Sequence, residues 1–167
     1  MTPKRFLLGA AVLACLAGLA FVAKEAEGPG PKMADAASRL LDSLDDKQKA
    51  KALLGFDDKD RTGWYFTPQQ KGGKPTRKGL PLEEMTADQK KLALELLRTG
   101  TSEAGFEKAT GIMGLEDVLL GLEKGKGPVR NREWYFVTVF GKPSKAGKWG
   151  WRLEGHHLSL NYTLDGG

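Results

Sequence analysis

The stretch REWYFVTVFG, residues 132–141, decides the fold of this chain. It is dense in aromatic and β-branched side chains, the residue types that favour strands. Because the stretch contains few polar residues, it indicates a strand that is buried on both faces. The sequence therefore predicts a central β-strand over residues 132–141.

Two further strands are predicted downstream of this one. A turn rich in Pro and Gly leads into residues 148–154, where Trp149 and Trp151 share one face. Residues 156–164 then alternate Leu and Tyr on one face with polar side chains on the other. Because the connections are short, we expect the three strands to form an antiparallel meander.

The chain upstream of these strands is predicted to be mostly helical. An amphipathic pattern begins near Ala34, Thr86 followed by Gln89 is a capping-box arrangement, and Ser102 is a second N-cap candidate. Helices followed by a mostly antiparallel sheet define the α+β class.

Two segments between the helices carry less regular patterns. The aromatic run Trp64-Tyr65-Phe66 predicts a short buried strand. Residues 69–79 contain Gly and Pro and predict an exposed loop, whose basic residues, Arg77 among them, could bind an anionic ligand.

The N-terminus has the order of a secretory signal peptide. Lys4 and Arg5 precede an uncharged apolar run over residues 6–23. The run is also long enough for a single inner-membrane anchor, and the residues before Cys15 resemble a lipoprotein processing box. Each alternative places the rest of the chain outside the cytoplasm, in the periplasm, in the cell envelope or secreted.

The predicted organisation is a signal peptide or membrane anchor over 1–23, a Gly/Pro tether over 24–33 and a single α+β domain over 34–167. The formal net charge of +5 includes Lys4 and Arg5, and acidic residues alternate with the basic ones along most of the chain. We therefore expect no nucleic-acid partner, and membrane contact only through the N-terminal segment. The single cysteine lies in that segment, so the domain has no disulfide and no cysteine metal site.

Chemistry is expected at the two histidines of the chain, His156 and His157, which are adjacent at the predicted start of the third strand. Neighbouring residues on a strand point to opposite faces, so both rings could bind one metal ion only if the backbone twists or bulges there. Glu154 could orient a ring, act as a general base or supply an oxygen ligand. The predicted roles are metal binding for His156 and His157, catalysis for Glu154 and His157, and ligand binding for Arg152, Trp149 and Trp151.

The hypothesis is an exported domain with a ligand site or divalent-metal site of hydrolytic type at this segment. The alternative is a non-catalytic structural or binding protein of the cell envelope, in which the same residues hold the sheet together.

The segment WGWRLEGHHLSL, residues 149–160, resembles the signature of the bacterial family called domain of unknown function 3500. The segments WYFTP (64–68), RKGL (77–80) and FGKPS (140–144) also resemble this family, and the resemblance covers roughly residues 35–164. It implies export and an α+β domain, and it implies no established activity. Family members are typically longer, so the chain resembles their N-terminal half, and we expect a fragment that is incomplete at its C-terminus. A site assembled from both halves would then be incomplete here.

Overall fold

A computed structural model describes residues 28–167 of the chain. The predicted signal peptide or anchor, with Cys15, lies outside the described residues. Residues 28–167 form four α-helices, a five-stranded sheet and a two-stranded hairpin, so the predicted α+β class, with N-terminal helices followed by a mostly antiparallel sheet, is confirmed. Within residues 28–167, no helix combines the length and the apolar character needed to cross a membrane.

The helices follow the capping signals in the sequence. Asp45 and Thr86 each form a capping box with a Gln three residues later, and the Ser102 side chain accepts from the Gly105 backbone N–H. The helices are α1 (Pro29–Ser43), α2 (Asp46–Ala52), α3 (Ala87–Thr99) and α4 (Glu103–Glu123), with short 3-10 turns at Lys59–Thr62 and Leu82–Glu84.

The first helix starts earlier than its amphipathic pattern predicts. It begins at Pro29 instead of Ala34, so the predicted tether is helical from Pro29 onward. A proline in the first turn of a helix removes an N–H that has no intrahelical acceptor, and its fixed φ suits the helix. Gly30 packs against the backbone of Gly167, where a side chain would not fit.

The main sheet is built around the predicted central strand. Its strands are β1 (Leu53–Leu54), β4 (Leu80–Pro81), β5 (Phe136–Phe140), β6 (Lys148–Glu154) and β7 (Ser159–Asp165), while β2 (Gln70–Lys71) and β3 (Lys74–Pro75) form a separate hairpin. The antiparallel meander β5-β6-β7 is confirmed. The short strands β1, parallel, and β4, antiparallel, pair with β5 along its other edge.

Aromatic side chains of β6 and β7 pack in the core, where Trp151 connects the sheet to helix α1. Trp151 stacks on Tyr162 with ring centroids 4.4 Å apart, and its indole N–H donates to the Met33 sulfur of α1 at 3.4 Å. The Trp149 indole N–H donates to the Ser144 carbonyl at 2.9 Å. Both tryptophans are fully buried, so they belong to the core.

The aromatic run at residues 64–66 differs from its prediction as a buried strand. Trp64, Tyr65 and Phe66 lie outside the strands that the structure describes, and their exposed fractions are 64%, 45% and 73%. The backbone carbonyl of Tyr65 accepts from a buried arginine, Arg77, instead of a neighbouring strand. These three aromatic residues therefore lie on the surface, and we call residues 64–66 the aromatic segment.

Candidate metal centre

A tight hairpin turn presents the two histidines. Glu154 on β6 pairs with Ser159 on β7, and the Gly155 backbone N–H donates to the Leu158 carbonyl at 2.8 Å. His156 and His157 thus occupy the turn, because β7 begins at Ser159, later than the predicted residue 156. Their ring centroids are 3.9 Å apart. The alternation of strand side chains therefore does not separate the two rings.

The third member of the cluster comes from helix α4. Glu116 lies on the buried face of α4 together with Ala109 and Met113, and its side chain reaches the histidine turn. Its Oε1 atom is 3.1 Å from Nδ1 of His156 and 3.8 Å from Nε2 of His157. One ligand atom from each residue lies within 4.8 Å of the other two, a spacing that could hold one metal ion. We call these three residues the triad.

An arginine closes one side of the triad. Arg130 Nη1 lies 2.5 Å from His156 Nδ1 and 3.6 Å from Glu116 Oε2. The same guanidinium donates to Glu123 from Nε at 2.9 Å and from Nη2 at 2.6 Å. These two hydrogen bonds raise the pKa of Arg130 and lower the pKa of Glu123, so both groups are charged.

The electrostatics of the triad favour a neutral imidazole at His156. Burial lowers the pKa of His156 below its ordinary value, and the neighbouring His157 lowers it further, while Glu116 acts in the opposite direction. A metal ion binds the neutral form of histidine through a lone pair on a ring nitrogen. The ring is therefore in the protonation state that metal binding needs.

Gly155 positions the turn because the ring of Tyr135 fills the space that a side chain would need. A Cβ atom built on Gly155 would lie 2.5 Å from two carbon atoms of that ring. Burial and the charge of Glu116 raise the pKa of Tyr135 to about 12, so its hydroxyl keeps its proton at neutral pH. Because the Tyr135 ring is buried and packs against Gly155, it limits where the backbone of the histidine turn can lie.

Replacing Gly155 by alanine is expected to shift this turn and to weaken metal binding at the triad at least tenfold. The new methyl group overlaps a buried ring, and overpacking of this kind costs about 1–3 kcal/mol. Isothermal titration with Zn²⁺ and a urea melt measure the two effects. Gly111→Ala on the open face of α4 is the matched control, because a Cβ there meets nothing within 4 Å. An unchanged zinc affinity in Gly155→Ala would show that the turn does not set the arrangement of the metal ligands in the triad.

The predicted residues Arg152 and Glu154 lie in a buried ion network behind the turn. Glu154 Oε2 accepts from Arg77 Nη1 at 3.1 Å, and Glu154 Oε1 lies 3.2 Å from Arg152 Nη2. The side chains of Arg77, Arg152 and Glu154 are 3%, 2% and 1% exposed. Burial raises the pKa of Glu154, and the two arginines oppose this rise. The structure places both side chains in the interior. The catalytic role of Glu154 and the ligand-binding role of Arg152 stay predictions.

The other predicted site residues divide between the core and the triad. Trp149 and Trp151 are fully buried in the core, and their contact with a ligand stays a prediction. His156 and His157 are brought together with Glu116, as a shared metal site requires. The acid beside the histidines in space is therefore Glu116 of α4, whereas the sequence pointed to Glu154.

The domain is thus of the α+β class, with a cluster of two histidines and one glutamate at a hairpin turn of its sheet. The model of the family described as "Protein of unknown function (DUF3500)" matches residues 26–167. The chain belongs to this family, as its resemblance predicted. No curated protein and no solved structure matches the chain.

Proposed function

We propose that this chain is an exported domain that binds one divalent metal ion through Glu116, His156 and His157. The observation that carries the proposal is the convergence of their ligand atoms within 4.8 Å, from a helix and from a turn 40 residues further along the chain. Two imidazoles and one carboxylate form a ligand set that suits Zn²⁺. Tetrahedral ligands about 2.0–2.2 Å from such an ion are roughly 3.3 Å apart, close to the 3.1 Å and 3.8 Å that separate Glu116 Oε1 from the two histidine nitrogens.

The hydrogen-bonding pattern at His156 supports a cation at this position. Its Nδ1 atom faces a donor, Arg130 Nη1, and an acceptor, Glu116 Oε1, at the same time. An unprotonated Nδ1 accepts from Arg130 but repels the carboxylate, and a protonated Nδ1 donates to Glu116 but opposes the guanidinium. His156 and Glu116 would hold a metal ion through these lone pairs, and Arg130 Nη1 would then give up its contact with His156 while the guanidinium keeps its hydrogen bonds to Glu123.

We also propose that the bound metal ion gives the domain a hydrolytic activity. Three protein ligands leave a fourth position open, the arrangement of catalytic rather than structural zinc sites. A metal ion here would act as a Lewis acid and activate a water molecule for hydrolysis. The side chain of His157 is 35% exposed, so solvent reaches the triad on the side of this ring. Arg130, fixed by Glu123, lies close enough to stabilise negative charge that develops next to the triad.

Export is proposed from the N-terminal sequence. Two basic residues followed by an uncharged apolar run over residues 6–23 support a signal peptide, an inner-membrane anchor or a lipoprotein anchor at Cys15. In each case the triad would work outside the cytoplasm, in the periplasm, in the envelope or beyond it.

One observation favours the alternative of a non-catalytic envelope protein for part of the site. Glu154, Arg77 and Arg152 are so deeply buried that their contacts serve the fold. This interpretation applies to the ion network and leaves the triad as the part of the segment that could bind a metal.

The test is the metal content of the mature, untagged chain. We expect about one equivalent of zinc by mass spectrometry after dialysis against trace Zn²⁺, and at least a tenfold loss in His156→Ala and in His157→Ala with unchanged circular dichroism. Absence of metal in the wild type, together with equal destabilisation by both substitutions, would instead support the structural alternative.

A further inference from the structure

We infer that the cleft between the aromatic segment and the histidine turn binds a neutral carbohydrate ring, stacked on Trp64 and Phe66. The inference rests on the proposed function only in placing this ring beside a bound metal ion. The stacking surface itself consists of residues outside the triad.

The exposure of the aromatic segment is the first observation. Trp64 and Phe66 leave most of their surface to solvent, and their ring centroids are 5.8 Å apart with planes tilted by 33°. Large aromatic side chains usually bury their area in a core, so adjacent exposed rings indicate a binding surface. The two side chains are two residues apart and face the same cleft.

The second observation is that buried arginines hold this surface in place. Arg77 donates to the carbonyls of Tyr65 at 3.1 Å and Thr67 at 3.0 Å. Arg152 donates to the carbonyls of Asp60 at 2.7 Å and Gly63 at 3.1 Å. The backbone on both sides of the aromatic segment is therefore fixed, which reduces the conformational entropy that a ligand must remove on binding.

The third observation is the chemistry of the cleft, which has a volume of about 240 Å³. This volume lies below the roughly 300–1,000 Å³ of pockets for drug-sized ligands and suits one six-membered ring. Within residues 28–167, no Asp, Glu, Lys or Arg side chain lines the cleft. Apart from an ion bound at the triad, whose charge Glu116 would partly neutralise, the lining offers no partner for a charged ligand, so it favours a neutral one.

A carbohydrate ring matches both walls of this cleft. The C–H bonds on one face of a pyranose carry small positive partial charges, which the negative face of an aromatic ring attracts. Its hydroxyl groups can exchange hydrogen bonds with the opposite wall, which contains His157 and the Ser159 hydroxyl. The Ser159 oxygen already accepts from Asn161 Nδ2 at 3.1 Å, but a purely apolar ligand would cover its hydroxyl proton without replacing the water that it can bind. The bound ring would lie next to the triad, since His156 and His157 belong to both.

The inference is tested by applying the mature, zinc-loaded chain to an array of glycans. The array carries neutral oligosaccharides of glucose, galactose, mannose and N-acetylglucosamine, together with sialylated and sulfated glycans. We expect binding to a subset of the neutral glycans. By calorimetry with the best neutral oligosaccharide, Trp64→Ala and Phe66→Ala should each raise Kd at least tenfold. Leu122→Ala is the matched control because it removes an equally exposed apolar side chain, on α4, and should leave Kd unchanged.

The outcomes separate this inference from the metal proposal. Trp64-dependent glycan binding by a chain that takes up no metal after dialysis against Zn²⁺ would support the carbohydrate site and contradict the metal site. A zinc-loaded chain that binds no neutral glycan, or binds only charged ones, would overturn the carbohydrate site alone. A homodimer in light scattering that Trp64→Ala dissociates would also overturn it, since the aromatic segment would then be a contact between copies of this chain.

Discussion

Replacing Glu154 by alanine is expected to lower the free energy of unfolding by about 3–5 kcal/mol, measured by urea denaturation followed by circular dichroism. Glu154 is the carboxylate that contacts both Arg77 and Arg152, whose side chains are almost completely buried. Removing it leaves two buried guanidinium groups without a carboxylate, and their remaining hydrogen bonds go to backbone carbonyls. Repulsion between two cations in a poorly solvated site then favours the unfolded chain.

The matched control removes an acid from an exposed ion pair on the same sheet. Asp165 on β7 pairs with Lys148 at 3.1 Å, and more than half of each side chain is exposed. Asp165→Ala should therefore change stability by no more than about 1 kcal/mol. If Glu154→Ala kept the stability of the wild type but lost hydrolytic activity, the result would contradict the structural role and support the catalytic role predicted for Glu154.

Local signals in the sequence were sufficient for much of the fold. The run of residues 132–141 and the alternation in 148–154 and 156–164 predicted the meander, because each strand shows its burial pattern within a few residues. The capping residues Thr86 and Ser102 located the starts of α3 and α4 in the same way. The prediction of a buried strand for the aromatic segment was wrong because strand propensity reflects packing against neighbours, whereas the Tyr65 carbonyl binds a buried arginine, Arg77.

The candidate site could be predicted only in part because its geometry depends on contacts distant in sequence. The histidines were identified, but the tight turn that brings their rings together follows from the Glu154–Ser159 register of the hairpin. Glu116 was missed because it belongs to a helix 40 residues upstream. The apolar pattern of α4 did not reveal its buried face, because several large apolar side chains of this helix are exposed while Glu116 is buried with Ala109 and Met113.

Folding should be linked to metal binding, since the ligands of the triad converge only in the native chain. A ligand that binds the native state alone stabilises it by about 2.7 kcal/mol when its concentration is 100 times Kd. For a domain of this size, we expect Zn²⁺ to raise Tm by about 5–10 °C, measured by differential scanning calorimetry. A chelator should reverse the shift, because it removes the ion from the equilibrium.

Glu116→Gln isolates the triad from a general effect of zinc. The substitution keeps the shape of the side chain but replaces the carboxylate oxygen nearest to both histidines by a neutral amide. It should remove most of the zinc-induced rise in Tm, because a neutral ligand binds a divalent ion much more weakly than a carboxylate does. Glu107→Gln makes the same chemical change on the exposed face of α4 and should retain the full rise. An equal rise in both variants would place the zinc elsewhere on the protein and contradict the triad as its site.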